Sequence, residues 1–477
     1  MNEYSTLFDR DQIGLQIYGL IGGERTLGHQ VVLTGSSNKV SFSRSEFRFR
    51  TDGFRPNNDA EQKLYDGFLQ IALTPHTNVQ AEITSSTRNF GDLISRFDAN
   101  FFDPIIRNRD KANSFRLGVR QTLTQSSDLL LSFTHQKRSI IGDFGDGFAI
   151  EVENKSNRLE LQHQIRRSLF HITSGTSYFQ SNASENIFGE IIDSNPFHAN
   201  FYTHLTVRPT HSSPSMLLGF SYDHLRSRDS GDQQQFNPKL GLLWSPTQSL
   251  VVRFSHFGVL KRRLNSDQGL EPTQIVGFNQ FFDDSNGTQS KSSSVSVDGK
   301  RSSSWFMGIE VGRRSLDVPL TNVDRSIEFQ PWKERSVKTY VNWIPNRRLT
   351  FALRPRWDRY DRPPESRGDE AFILVETLEV PLSARVFHNN GIGLSLVATF
   401  VRQKGEFTSV EQELFRARET FWNVDGALSF RLPKRLGTVS LEARNLLDKS
   451  FRFQDIGLTR PRYVPHRTIF LNVSLLL

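Results

Sequence analysis

The chain contains no cysteine, and only 3 of its 477 residues are methionine. The first absence removes disulfide scaffolds, thiolate metal sites and cysteine nucleophiles together. No stretch approaches the run of about 18 apolar residues that a membrane-crossing helix needs. Hydrophobic residues make up 36% and mean hydropathy is −0.46. These values exclude helical spans but leave a membrane β-barrel open, because a barrel strand turns only every second side chain to lipid. The net charge of +8 is not gathered into any block of Lys and Arg, which argues against a nucleic-acid partner. Met1-Asn2-Glu3-Tyr4 leads straight into polar sequence without a signal peptide, so an exported protein would be a mature or truncated piece. Catalytic signatures are missing as well. The 12 His are scattered, with no His-Glu-x-x-His run, no Gly-x-Ser-x-Gly elbow and no phosphate-binding Gly-Lys-Ser/Thr motif. The expectation is a protein that is not an enzyme and holds neither metal nor cofactor.

What the chain has is alternation. Ile469, Leu471, Val473, Leu475 and Leu477 share one parity, Asn472 and Ser474 the other, and the chain ends there. Leu69, Ile71 and Leu73 alternate, residues 74–78 turn, and Val79, Ala81 and Ile83 alternate back. Similar short turns are expected at 125–128, 166–167, 209–211, 246–248, 298–300, 345–347, 389–391 and 433–435. Between them lie longer polar stretches at 52–59, 91–113, 142–154, 180–196, 226–235, 261–289, 361–369, 405–418 and 446–466. This pattern predicts an all-β chain, a single transmembrane antiparallel β-barrel domain over residues 1–477. It would have about 22 strands, short periplasmic turns and long extracellular loops. The first and last strands would both reach the short-turn side, closing the wall. A secreted β-rich repeat protein is the other reading of the pattern. Parity breaks in 41–49 and 371–385, where faces are not assignable.

Where parity is clean, the positions opposite the apolar face are lumen-lining candidates: Arg116, Arg120, Arg158, Glu160, Lys338, Asn342, Arg354, Arg356, Asp358, Asp425, Glu442 and Arg444. Arginine outnumbers acid in this set, which suits a weakly anion-selective lumen; alternatively the charges pair across neighbouring strands. In the stretch 261–289, Glu271, Gln274, Phe278, Asn279, Gln280, Phe281, Phe282, Asp283 and Asp284 combine rings with amides and carboxylates. Such a loop suits recognition of sugars or chelates. The plainer reading is that the three phenylalanines fold the loop into the barrel mouth. Asp283-Asp284 alone is a weak calcium signal.

Leu441 to Phe451, with Asn445, Leu446, Asp448 and Lys449 at its centre, is followed by Pro465-His466-Arg467 and the final strand. This succession resembles the closing motif of TonB-dependent receptors, and Leu270-Glu271-Pro272-Thr273-Gln274 is similar to a segment with which they re-enter the wall. The segments 2–10, 51–59, 235–239 and 270–284 resemble the barrel half of large outer-membrane proteins that carry tetratricopeptide repeats ahead of the barrel. The resemblance implies a bacterial outer-membrane location and passage or binding of a solute. Implied partners are outer-membrane lipid and lipopolysaccharide, the barrel-assembly machinery acting on the C-terminal strand, and a separate periplasmic or tetratricopeptide-repeat module. Two departures stand out: strand-like sequence begins near Gln12, leaving no room for a plug, and the last residue is Leu477 where such barrels usually end in an aromatic. An export or assembly barrel and a surface anchor or adhesin are the rival functions.

Overall fold

The computed structural model describes residues 11–209, 213–262, 269–322, 326–363, 372–411, 413–457 and 461–477. Twenty-four strand segments join in one sheet, every recorded pairing antiparallel. Glu190–Ser194 and Phe197–Val207 lie end to end against Phe170–Ile187 and form one wall strand. Leu349–Leu353 and Arg356–Asp361 form another, interrupted at Arg354-Pro355, where proline has no N–H to give the ladder. The wall therefore has 22 strands.

The first strand, Gln12–Gly22, pairs with the last, Thr468–Leu476, from Gln16 opposite Leu476 to Gly22 opposite Phe470. Leu15 and Leu477 exchange backbone hydrogen bonds of 2.9 and 2.8 Å beyond that ladder. Closure matters because an unpaired edge would leave backbone N–H and C=O groups without partners in hydrocarbon. Residue 12 and residue 477 share a rim with the short turns, while the long connections 91–106, 261–288 and 445–467 leave from the opposite rim.

Several stretches expected as loops are strand. Arg107–Thr124 pairs with Ser127–Asp143 from Arg107 opposite Asp143, so 107–113 is wall. The predicted loops at 142–154, 180–196, 226–235 and 405–418 shrink in the same way. Beyond the membrane both faces of a strand meet water, so the ladder continues while the apolar alternation that reveals it from sequence stops. The turn expected at 298–300 is the end of the strand Gln289–Lys300, and the chain reverses at 301–304. The parity break at 371–385 also has a cause: Phe372 and Val375 are buried inside, against Phe97 of the 91–106 loop.

Outward-facing Ile83, Leu161, Phe201, Leu394, Trp422 and Ile469 are exposed, as lipid-facing groups must be. Toward the short-turn rim Trp305, Trp343 and Phe351 stack in a column across neighbouring strands, with centroids 5.5 and 5.2 Å apart. Such aromatics sit at the headgroup level of a bilayer.

Candidate functional site in the loop-filled lumen

Polar side chains alternate along the inner face of the wall. On Phe197–Val207 they are His198, Asn200, Tyr202 and His204, all buried, while Phe201 between them is exposed on the outside. Two strands away on one side stand Arg158, Glu160 and Gln162; on the other, the adjacent strand brings Asp223 and the strand after it Asn237 and Lys239. Asp223 is the hub. Its carboxylate accepts from His198 Nε2 (3.0 Å), Asn200 Nδ2 (2.8 Å), Asn237 Nδ2 (2.8 Å) and Ser221 Oγ (2.9 Å). Tyr202 fits because position 175 is glycine: a Cβ there would lie 2.4 Å from the tyrosine oxygen. Buried polar groups of this density persist only when they partner one another.

Residues 269–288 of the 261–288 connection fold down onto this surface. Glu271 is buried 3.2 Å from Arg262 and 3.7 Å from Lys239. Lys239 Nζ donates to Gln280 Oε1 at 2.6 Å. Leu270 N donates to Glu160 at 3.3 Å, and Gln162 donates to the Leu270 carbonyl. Gln162 stands four residues from the short-turn end of Ala149–Arg166. At about 3.3 Å per residue, the segment therefore reaches to about 13 Å of strand length from that rim. Gly241 gives it room, since a Cβ there would meet Val276 at 2.7 Å.

Each phenylalanine of the segment lies beneath a guanidinium: Phe278 under Arg253 (5.3 Å), Phe281 under Arg262 (5.0 Å) and Phe282 under Arg314 (3.8 Å). Arg314 also pairs with Asp284 and, at 2.6 Å, with Glu334. The residues singled out in this stretch divide by burial. Glu271, Phe278 and Gln280 are buried inside the barrel because wall cations and the apolar Leu217, Phe257 and Val259 hold them there. Gln274, Asn279, Phe282 and Asp283 remain exposed.

Most of the lumen-lining candidates stand in pairs. Arg116 lies 3.2 Å from Glu82, Arg120 3.1 Å from Asp128, Arg158 2.7 Å from Glu160 and Lys338 2.9 Å from Glu310. Arg356 pairs with Asp358, and Arg354 donates to Asn342 at 3.4 Å. Glu442 accepts from Ser440 at 3.5 Å and Arg444 lies over Phe470. Among these residues cations and acids are interleaved, so they form no ring of one sign. Asp425, Glu442 and Arg444 line a small cavity of about 120 Å³.

The closing motif is a clasp. Asn445, at a φ of 49°, donates its backbone N–H to Asp425 (2.9 Å) and its side-chain amide to the carbonyls of Lys449 (3.0 Å) and Val464 (3.1 Å). Asp448 accepts from Arg467 N at 2.8 Å. Leu446 donates its N–H to the Val424 carbonyl, and Leu471, Val473 and Leu475 follow in the last strand. The loop so anchored turns inward, where Phe451 stacks on Phe421 at 4.0 Å and Tyr463 meets both edge-on. Gln454 and Gln403 bond reciprocally at 2.7 and 3.0 Å, and Gln454 also accepts from Phe97 N.

The third loop, 91–106, is organised by Asp92, which accepts from Arg96 (2.6 Å) and from the N–H groups of Asp103 (2.9 Å) and Ile94 (3.0 Å). Burial pushes the Asp92 pKa up, but these bonds outweigh it and hold the carboxyl below its ordinary range. Burial, with the like charge of Arg96 beside it, lowers that of Arg55 against the pull of Asp92. Asp455 goes the other way: burial, with Glu379 nearby, raises it to about 6 against the pull of Arg462.

A cleft of about 190 Å³ opens between these two loops at the outer mouth. Phe54, Phe101, Phe451 and Tyr463 line it with Arg55, Arg96 and Arg452. Arg55 Nη1 is buried there with no hydrogen-bond partner among the described residues.

Solved barrels of the same fold exist. The chain is similar to the ferripyoverdine receptor of the Pseudomonas aeruginosa outer membrane, with a TM-score of 0.71 and 10% identity over 98% of this chain and 72% of that one. It is similar to the FrpB iron transporter of Neisseria meningitidis (TM-score 0.74, 10% identity, 98% and 82% covered). It is also similar to BauA, the ferric preacinetobactin receptor of Acinetobacter baumannii (TM-score 0.69, 11% identity, 98% and 80% covered). No protein-family model matches the chain, and no curated protein matches it in sequence. At these identities the likeness establishes the outer-membrane barrel fold.

His198, Asn200, Tyr202, His204, Asp223 and Lys239 are not among the site residues expected from the sequence. Their signal was present, as polar residues at every second position of strands whose other face is apolar.

Proposed function

We propose that this barrel is a bacterial outer-membrane receptor and transporter for an anionic solute, and that iron chelates are the class it takes. The cleft at the outer mouth carries the reading. Its aromatic walls offer ring faces to a flat ligand, while guanidinium groups offer charge and paired donors to carboxylate, hydroxamate or catecholate oxygens. The iron-related neighbours support the same class. The buried donor Arg55 Nη1 is the group a ligand oxygen would satisfy. Passage beyond the cleft requires the inward loops 261–288 and 445–467 to shift, which a partner on the periplasmic side would drive.

The resemblance to repeat-bearing barrels supports a tetratricopeptide or other periplasmic module as that partner; the segment 2–10 that carries part of it lies outside the described residues. We also propose that the barrel-assembly machinery meets the strand Thr468–Leu476, and that lipopolysaccharide surrounds the outer rim.

Titration of the purified protein with ferric hydroxamates and catecholates, against the iron-free ligands, tests the function. Saturable binding should weaken about tenfold or more in Arg55→Gln, the loss of one charged hydrogen bond. Absence of saturable binding, or indifference to the substitution, would overturn the assignment.

A further inference from the structure

The net charge has a location. The ten connections on the short-turn rim contain eight Lys and Arg and no Asp or Glu, which equals the chain's whole net charge of +8. The rest of the chain carries as many cations as its 51 acids. All eight are exposed and none forms an ion pair with a described residue. They are spread over six of the ten turns, so the charge runs around the circumference and is not collected in one patch.

Apolar groups sit beside these cations. Leu169 and Leu436, in the same turns as Arg167 and Arg435, are 57% and 41% exposed, and Phe387 is 49% exposed. The Trp305, Trp343 and Phe351 column lies on the lipid face next to Arg301, Arg347 and Arg348. A protein partner would dock on one sector and avoid exposed leucines at the hydrocarbon boundary. Cations spread around the rim, immediately beyond a column of lipid-facing aromatics, match the annulus of headgroups around a barrel.

We propose that the short-turn rim binds anionic phospholipid headgroups of the inner leaflet, with phosphodiester oxygens against the turn guanidiniums and acyl chains against the leucines and the aromatic column. Inner-leaflet charge would then fix the barrel's depth and hold the periplasmic ends of its strands.

The test uses native mass spectrometry of the full chain in mild detergent, offered phosphatidylglycerol, phosphatidylethanolamine, lipid A or a polyglutamate peptide. The comparison variant carries Arg301→Gln, Arg347→Gln, Arg348→Gln, Lys434→Gln and Arg435→Gln. Wild type should retain phosphatidylglycerol over phosphatidylethanolamine at least about fivefold, the effect of even one interfacial cation. The variant should lose that preference while keeping its heat-dependent gel shift. If the variant does not fold, added salt should abolish the preference in wild type, since the attraction is screened. Equal retention of the two phospholipids overturns the proposal. So does a variant-sensitive preference for lipid A, which would put this rim in the outer leaflet, or for polyglutamate, which would make the partner an acidic protein.

Discussion

Arg314 lies flat over Phe282, its Cζ 3.8 Å from the ring centroid, while the same guanidinium holds Asp284 and Glu334. One wall side chain thus fixes a ring and a carboxylate of the 261–288 connection. Arg314→Gln removes the stacking, on the order of 1 kcal/mol, and strands two acids, with a total cost of roughly 3–5 kcal/mol. The segment should leave the lumen. Single-channel conductance in planar bilayers should rise and protease should cut near residue 282; unchanged conductance would show that the segment is held elsewhere.

Glu271 offers a complementary test at the buried end. Glu271→Gln leaves Lys239 and Arg262 facing each other without their shared acid. The expected loss is about 3 kcal/mol or more, and Lys239→Met in the same chain should recover part of it. The temperature at which the heat-dependent gel shift occurs reads both outcomes, and strict additivity of the two substitutions would argue against the coupling.

The carboxyl of Asp455 has a pKa near 6 in the folded chain, against 3.8 for an ordinary aspartate. Its protonated form is therefore favoured by folding. The docking of 445–467 is fully supported below pH about 4 and loses that support as pH rises through 6, by roughly 3 kcal/mol at most. The protection factors of the Gln454 and Arg462 amides, with the intrinsic rise of exchange with pH divided out, should fall across this window, and in Asp455→Asn they should stay constant.

The absence of cysteine permits a test of orientation. A single cysteine at Asp146, exposed in the 144–148 connection, should react with a membrane-impermeant maleimide on intact cells. One at Arg348, in a short turn, should react only after the outer membrane is opened. The reverse pattern would invert the barrel.

Sequence legibility follows the range over which each feature is decided. The turn at 75–76 and the clasp Asn445–Lys449 are local, so residue types a few positions apart reveal them. Closure was legible for a different reason: alternation from Ile469 to Leu475 has one lipid face whatever its partner. The lumen was harder. Phe278 and Glu271 take their positions from Arg253, Lys239 and Arg262, and nothing local distinguishes a loop that reaches outward from one that folds in. The extension of Arg107–Thr124 past the membrane was hidden because a wet ladder keeps its hydrogen bonds and loses its hydrophobic period. There Arg138 and Asp110 pair at 2.6 Å instead.

The pairing of Leu15 with Leu477 sets the order of events in biogenesis. Tyr18 and Asn472, which bond across the same seam at 2.9 Å, are 454 residues apart. The other neighbouring strands can zip as hairpins, but the first strand has no mate on its free side until the last residues arrive. Loop-closure entropy is greatest for this final contact. The unsealed barrel must therefore wait with two sticky margins, so truncation of even the last few residues should act as a defect of assembly kinetics before it acts on stability.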